Sequence, residues 1–167
     1  MYKISLDQIK NLIDISLDED SYLDDITSKN LIDKDHISNA YIISKSEGIL
    51  CGVDVLELVF KTVDSNIEIE RKFFDGNKIN NSDVIVTLNG PLLSILSAER
   101  TVLNFIQRMT GISTITSKYV NLISESNSKI YDTRKTLPGH RILDKYAVSI
   151  GGGMNHRINL SDEILIK

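Results

Sequence analysis

Lys129-Ile130-Tyr131-Asp132-Thr133-Arg134-Lys135-Thr136-Leu137-Pro138-Gly139-His140-Arg141 is the stretch whose reading decides the fold. Its first four residues have the composition of a short strand, and from His140 to Ile150 the residues Leu143, Ala147 and Ile150 recur at helical intervals. A second apolar strand is expected over Glu163-Ile164-Leu165-Ile166-Lys167. Together these make one βαβ unit, whose parallel strands are buried between layers. In α/β barrels ligands gather at the C-terminal ends of the strands, which places Thr133, Arg134 and Lys135 after the first strand and Lys167 after the second. Pro138-Gly139 and Gly151-Gly152-Gly153 each have a purely local use, starting and ending the helix. The triple glycine matches neither the P-loop nor the dinucleotide fingerprint.

Upstream of this unit the grammar is different. Ser5-Leu6-Asp7-Gln8 has the spacing of a capping box, and Leu6, Ile9, Leu12 and Ile13 predict an amphipathic helix over 6–16. Asp18, Glu19, Asp20, Asp24 and Asp25 follow within a dozen residues, and no glycine sits where a calcium loop needs its turn, so a solvated loop is expected. Strands are predicted over 39–46, over 67–73 with Ile67, Ile69, Arg71 and Phe73 on one face, and over 84–88. Between the first two, Val53, Leu56, Val59, Phe60 and Val63 predict a helix over 53–63. Mixed helices and half-buried strands without strict alternation imply an α+β layer, with a small antiparallel sheet covered on one face by helices. Two long helices are then predicted, over 92–109 and 112–126, broken at Gly111. Leu92, Leu96, Leu103, Ile106 and Met109 line one face of the first, with Arg100 in the middle of the row. An arginine there snorkels, meets Glu99 or another acid, or points into a ligand site.

At 167 residues with 41% hydrophobic content, the chain can bury a real core and holds one domain, or one plus part of another. Its net charge of -4 hides an asymmetry: residues 1–70 carry 6 Lys+Arg against 15 Asp+Glu, whereas 71–167 carry 13 against 8. The cations of the second part are scattered singly among glycine and apolar residues, a pattern that ranks a small anionic ligand above nucleic acid. Cys51 stands alone, which excludes an internal disulfide framework and a cysteine metal site, and suits a reducing cytosol. No apolar run approaches membrane-spanning length, and the N-terminus lacks the basic-then-apolar plan of a signal peptide.

The motifs Glu99-Arg100-Thr101-Val102-Leu103-Asn104, Asp132-Thr133-Arg134-Lys135-Thr136 with Pro138-Gly139 and Arg141, Lys145-Tyr146-Ala147-Val148, Gly151-Gly152-Gly153 with Asn155-His156-Arg157, and Ile164-Leu165-Ile166-Lys167 occur in this order. The set resembles the quinolinate phosphoribosyltransferases, also called carboxylating nicotinate-nucleotide pyrophosphorylases, and the likeness extends along nearly the whole chain. It implies an α/β fold: an α+β N-terminal domain over 1–111, then the start of an α/β barrel over 112–167. It implies an enzyme of NAD biosynthesis that joins quinolinate to phosphoribosyl pyrophosphate with decarboxylation and with magnesium. It implies further that Arg100, Thr133, Arg134, Lys135, His156, Arg157 and Lys167 bind substrate, with Arg100 lent by the other subunit of a cytoplasmic homodimer that shares its active site. No catalytic nucleophile and no metal ligand is expected among these residues, nor any nucleic-acid or membrane partner. A complete barrel with its preceding domain needs on the order of 250 residues, so the resemblance implies that this is the N-terminal portion, inactive without the rest. Alternatives are a non-catalytic anion-binding remnant that still dimerises, and a relative associated with molybdenum transport whose motifs overlap.

Overall fold

The computed structural model describes residues 4–164 and 166. Its elements in chain order are α1 (Leu6–Glu19), α2 (Ile26–Leu31), β1 (Ile37–Ile43), β2 (Gly48–Ile49), α3 (Val53–Val63), β3 (Glu68–Arg71), β4 (Lys78–Ile79), β5 (Val84–Pro91), α4 (Leu92–Leu122) and α5 (Arg141–Ile150). The fold class is the α/β one expected, with small antiparallel sheets and helices packed on them. No helix among the described residues is long and apolar enough to cross a membrane.

The main sheet has the order β1-β5-β3, antiparallel throughout, with Ala40 opposite Leu88 and Ile69 opposite the same Leu88. The period-2 pattern read from the sequence holds: Ala40 and Ile42 turn towards the core while Tyr41 and Ile43 stay exposed. A second ladder of two residues each, β2 with β4, was not foreseen, because two residues carry no period. Hydroxyls of α4 bond to the backbone of this segment: Ile49 N donates to Thr114 Oγ1 at 2.9 Å, Cys51 N to Thr110 Oγ1 at 3.1 Å, and Ser113 Oγ to Ile49 O at 2.5 Å. Side chains thus satisfy amides and carbonyls that a longer strand would otherwise have to pair.

α3 forms over the residues predicted, and Leu56, Val59 and Phe60 join Ile13 and Leu17 of α1, Val86 and Leu88 of β5, Val102 and Met109 of α4, and Leu143 and Ala147 of α5 in one apolar core. Each large apolar side chain so buried contributes about 1.5–3 kcal/mol. At the start of α3, Gly52 N and Val53 N both donate to Asp75 Oδ1 at 2.9 Å, a cap supplied from far along the chain.

Several expectations are corrected. The helix predicted to break at Gly111 runs unbroken through it for 31 residues. One glycine costs a helix about 1 kcal/mol, and burial of Met109, Ser113 and Thr116 on either side outweighs it. The buried stripe of α4 is Ile95, Ala98, Val102, Phe105, Ile106 and Met109, whereas Leu92, Leu96 and Leu103 are only half-buried; Arg100 therefore lies on the exposed side. The acidic stretch 17–28 is not an open loop. α1 continues to Glu19, a single 3-10 turn follows at Tyr22–Asp24, and Asp25 caps α2 by accepting Ser28 N at 3.0 Å and Ser28 Oγ at 2.5 Å. At Ser5 no side-chain cap forms; its carbonyl accepts Gln8 N instead. Finally, the strand expected over 129–132 is a single parallel bridge, Tyr131 with Met154, and Glu163, Ile164 and Ile166 form no strand. Leu165 and Lys167 lie outside the described residues.

Candidate functional site

The pairing of Tyr131 with Met154 places the site. Met154 N donates to Ile130 O at 2.8 Å, and Asp132 N to Met154 O at 3.0 Å. Because the bridge is parallel, the chain leaves it in the same direction twice, once into Thr133-Arg134-Lys135 and once into Asn155-His156-Arg157. The three glycines make this return possible. A Cβ at Gly151 would lie 2.4 Å from Ser113 O of α4, so α5 meets α4 backbone to backbone, and Gly152 adopts a φ of +88° that side chains rarely tolerate.

Asp132 joins the two segments. Its Oδ1 accepts Lys145 Nζ at 2.5 Å and His156 N at 2.9 Å, while its Oδ2 accepts Asn155 Nδ2 at 2.6 Å. Lys145 Nζ also donates to His156 O at 2.7 Å, and Asn155 Nδ2 to Lys145 O at 2.8 Å. The Lys145 side chain is 0% exposed and that of Asp132 6%, so this is an ion pair removed from water, kept viable only because its polar atoms are hydrogen-bonded. Arg141 braces the segments a second time, donating to Thr136 Oγ1 at 3.2 Å and to Ile158 O at 3.1 Å.

Around this frame stand the expected site residues. Thr133 and Lys135 are exposed, and Thr133 Oγ1 accepts Lys135 N at 3.1 Å, shaping the turn. Arg134 is half-buried, and its Nε is buried with no hydrogen-bond partner among the described residues. The ring of His156 is exposed, with Nδ1 accepting the Arg157 amide at 2.7 Å; Glu163 Oε2 lies 3.8 Å away, too far to hydrogen-bond. Arg157 donates to Glu163 O at 3.3 Å. Lys167 is outside the described residues. Arg100 is exposed on α4 without an ion pair among the described residues, and no hydrogen bond brings it to the others. The structure thus joins the segments 133–135 and 155–157 and leaves Arg100 apart.

The clefts lie elsewhere. One of about 500 Å³ runs between Ile43–Glu47 and the middle of α4, and another of about 440 Å³ is lined by Glu19, Asp20, Thr101, Asn104, Arg108 and His140. Thr133, Arg134, Lys135, His156 and Arg157 line neither. His140 stacks on Phe105 at 6.1 Å, and Arg108 makes a two-pronged pair with Asp144 at 2.8 Å on each arm. Among the described residues no group of three or more His, Cys, Asp or Glu is placed to hold a metal ion. Tyr146 Oη donates to Asp75 Oδ2 at 2.8 Å, linking α5 to the cap of α3; burial first and the neighbouring Asp75 second push this phenol well above its usual range. Burial likewise pushes the Cys51 thiol up, as expected of a small apolar core residue.

The Lys145-Asp132-Asn155 network escaped the sequence. A lysine flanked by Asp144 and Tyr146, two residues from Leu143 and Ala147 and so off their shared helix face, reads as a surface charge, and no spacing marks it as buried.

Comparison with known proteins gives two family matches: the quinolinate phosphoribosyl transferase N-terminal domain over residues 25–110 and the C-terminal domain of the same name over residues 112–167. A probable nicotinate-nucleotide pyrophosphorylase [carboxylating] of Bacillus subtilis is 42% identical over 160 residues, covering 96% of this chain and 55% of that protein. A mitochondrial quinolinate phosphoribosyltransferase [decarboxylating] of Nicotiana tabacum is 39% identical, covering 95% of this chain and 45% of that protein. Among solved structures, NadC from Streptococcus pyogenes superposes with a TM-score of 0.94 at 34% identity, over 98% of this chain and 58% of that one. The nicotinate-nucleotide pyrophosphorylase from Francisella tularensis does so at 0.90 and 44%, over 96% and 56%. The chain spans about half the length of the curated relatives it matches.

Proposed function

The chain belongs to the quinolinate phosphoribosyltransferase family, and from that premise we propose that it supplies the α+β layer (1–111) and the opening barrel unit (112–167) of an enzyme that joins quinolinate to phosphoribosyl pyrophosphate. The products are nicotinate mononucleotide, pyrophosphate and carbon dioxide. The boundary is supported by the two domain matches, which meet between residues 110 and 112.

One observation carries the proposal: the buried Nε of the half-buried Arg134, without a hydrogen-bond partner among the described residues, on the segment that the Asp132 network ties to His156. An unsatisfied buried donor costs about 1–3 kcal/mol, and an anion that accepts from it recovers that cost. Quinolinate carries two carboxylates on adjacent ring carbons, and guanidinium forks bind carboxylates by paired, charge-assisted hydrogen bonds. Arg134 and Arg157 take the carboxylates and phosphates in this reading, Lys135 and Lys167 supply point charge, and the Thr133 hydroxyl and His156 ring complete the contacts. The ring nitrogen attacks the ribose carbon as pyrophosphate departs, leaving a cationic ring. Loss of the adjacent carboxylate then leaves a carbanion stabilised by that nitrogen, which takes up a proton. The residues orient the two anions and preorganise charge; no protein nucleophile is needed.

Arg100, exposed and unpaired among the described residues, is suited to reach the site of a second copy, so the working unit is a homodimer with shared sites. The unpaired Cys51 fits a cytoplasmic enzyme. Magnesium enters as the counter-ion of phosphoribosyl pyrophosphate. Among the described residues no three carboxylates gather into a site for it.

Titration of the chain with quinolinate tests the proposal. Saturable binding is expected, with Arg134→Ala weakening it far more than Lys72→Ala, since Lys72 pairs with Glu70 on the sheet. Equal losses reject the pocket. Carbon dioxide release is expected when the C-terminal half of the Bacillus subtilis relative is added together with both substrates and magnesium. Binding without release on complementation favours a non-catalytic remnant; no quinolinate binding turns attention to the molybdenum-associated relatives.

A further inference from the structure

We propose that Asp132 and Lys145 are the positioning pair of the anion site: they fix the main chain of the two segments that carry its cations and leave the cationic side chains free. The inference rests on the substrate reading above.

The direction of every tie is the ground for it. From Asp132 the bonds run to His156 N and Asn155 Nδ2; from Lys145 they run to His156 O and, through its own carbonyl, to Asn155 Nδ2 again. The network grips His156 by both its amide and its carbonyl, so the peptide planes on either side of that residue are held. None of these bonds uses the side chain of Thr133, Arg134, Lys135, His156 or Arg157. On the other segment Asp132 immediately precedes Thr133, and its own amide is tied to Met154 O. One carboxylate therefore sets the spacing between 133–135 and 156–157, while the single parallel bridge on its own offers two backbone bonds.

Charge points the same way. A lysine needed only to fill space would be replaced by an apolar side chain at no loss, since buried ion pairs add little stability over well-packed isosteres. Asp132 cancels Lys145 within 2.5 Å and out of contact with water, so this cation does not compete for the substrate anion, and the carboxylate does not blunt the field of Arg134 from an exposed position. The second ion pair of α5, Arg108 with Asp144, makes the contrast. It faces α4, is partly exposed, and touches neither segment.

The test separates position from stability. In the full 167-residue chain, Asp132→Leu with Lys145→Met removes both charges and every bond made by the two side chains at nearly constant volume, while the main-chain carbonyl at 145 can still accept Asn155 Nδ2. We expect cooperative unfolding to survive, quinolinate affinity to fall by roughly tenfold or more, as removal of supporting shells generally does, and the His156 amide to exchange faster by a similar factor. Arg108→Met with Asp144→Leu is the matched control and should leave quinolinate affinity unchanged. If the double variant at 132 and 145 folds and binds quinolinate as the unmodified chain does, the pair is a structural filler and the proposal is overturned. If that variant does not fold, Asp132→Asn replaces it. An amide cannot accept at both ends, so either His156 or Asn155 is released, and the same two readouts decide. Absence of quinolinate binding by the unmodified chain sinks the substrate reading instead; the pair is then judged on His156 exchange, where unchanged protection rejects it.

Discussion

Replacing Gly111 by alanine should stabilise this protein. Gly111 sits in the interior of a 31-residue helix, is exposed, and a Cβ built on it meets nothing within 4 Å. Its backbone is helical, so the added methyl introduces no strain, and its main effect is to reduce the freedom of the unfolded chain. The gain for glycine to alanine in a helix interior is about 0.8–1.0 kcal/mol. For a chain of this size that corresponds to a rise in Tm of about 2–4 °C. Urea unfolding followed by circular dichroism reads it as an increase in midpoint at constant m-value. Were the helix interrupted at this point, as its sequence suggests, alanine would force an unfavourable conformation and lower the midpoint. A fall in Tm, or a change in m-value, would therefore refute the continuous helix and the stacking of α3 and α5 along it.

Gly151→Ala should act in the opposite sense. Its Cβ would lie 2.4 Å from Ser113 O and 2.7 Å from Thr116 Cβ, both on the buried side of α4, so α5 must move; overpacking of this kind costs about 1–3 kcal/mol and lowers the urea midpoint. The Tyr146 phenol should resist ionisation for as long as the protein stays folded. Its folded pKa lies above the unfolded value of about 10, so its contribution to stability is complete below that pH and is lost as pH rises above it. Phenolate absorbance should show one tyrosine titrating only with unfolding, and Tyr146→Phe should abolish that step. Asp25, held below the usual carboxylate range by Ser28, supports α2 at neutral pH and releases it as pH falls below about 4. Faster amide exchange over 26–31 in Asp25→Ala at neutral pH checks the same cap.

Much of the fold was legible because its elements carry strong periods. Val53, Leu56, Val59 and Phe60 repeat at helical spacing and form α3 over the predicted residues, and the alternation of β1 and β3 gives the correct faces. What failed was punctuation. Gly111 looks like a stop because local cost is visible in sequence while compensating burial is not. Asp25 looks like one more acid in a solvated run, although aspartate three residues before Ser28 is a cap when the chain turns there. The β2–β4 ladder is too short for any period, and the α4 hydroxyls that bond to its first strand and to Cys51 just beyond it, Ser113 and Thr114 for the one and Thr110 for the other, lie about sixty residues away.

The site divides along a similar line, with a physical reason behind the division. In the proposed reading the ligand-facing side chains of Thr133, Arg134, Lys135, His156 and Arg157 take no part in the Asp132–Lys145 network, and as cations and hydroxyls they stand out in the sequence. Residues that hold those groups in place spend all of theirs internally, and Lys145 with Asp132 differs from a surface pair only in what surrounds it. In the sequence they are 13 residues apart, one just past an isolated bridge and the other on a helix, with no spacing rule to connect them. The parallel return of the chain at Met154 creates the connection, and Gly151 and Gly152 permit that return. Substitution at those glycines should therefore disturb anion binding as well as packing, although neither has a side chain to offer a ligand. A fall in quinolinate affinity for Gly152→Ala larger than its loss of stability explains would be the signature of that dependence; affinity that simply follows the folded fraction would show that the cations find their places without it.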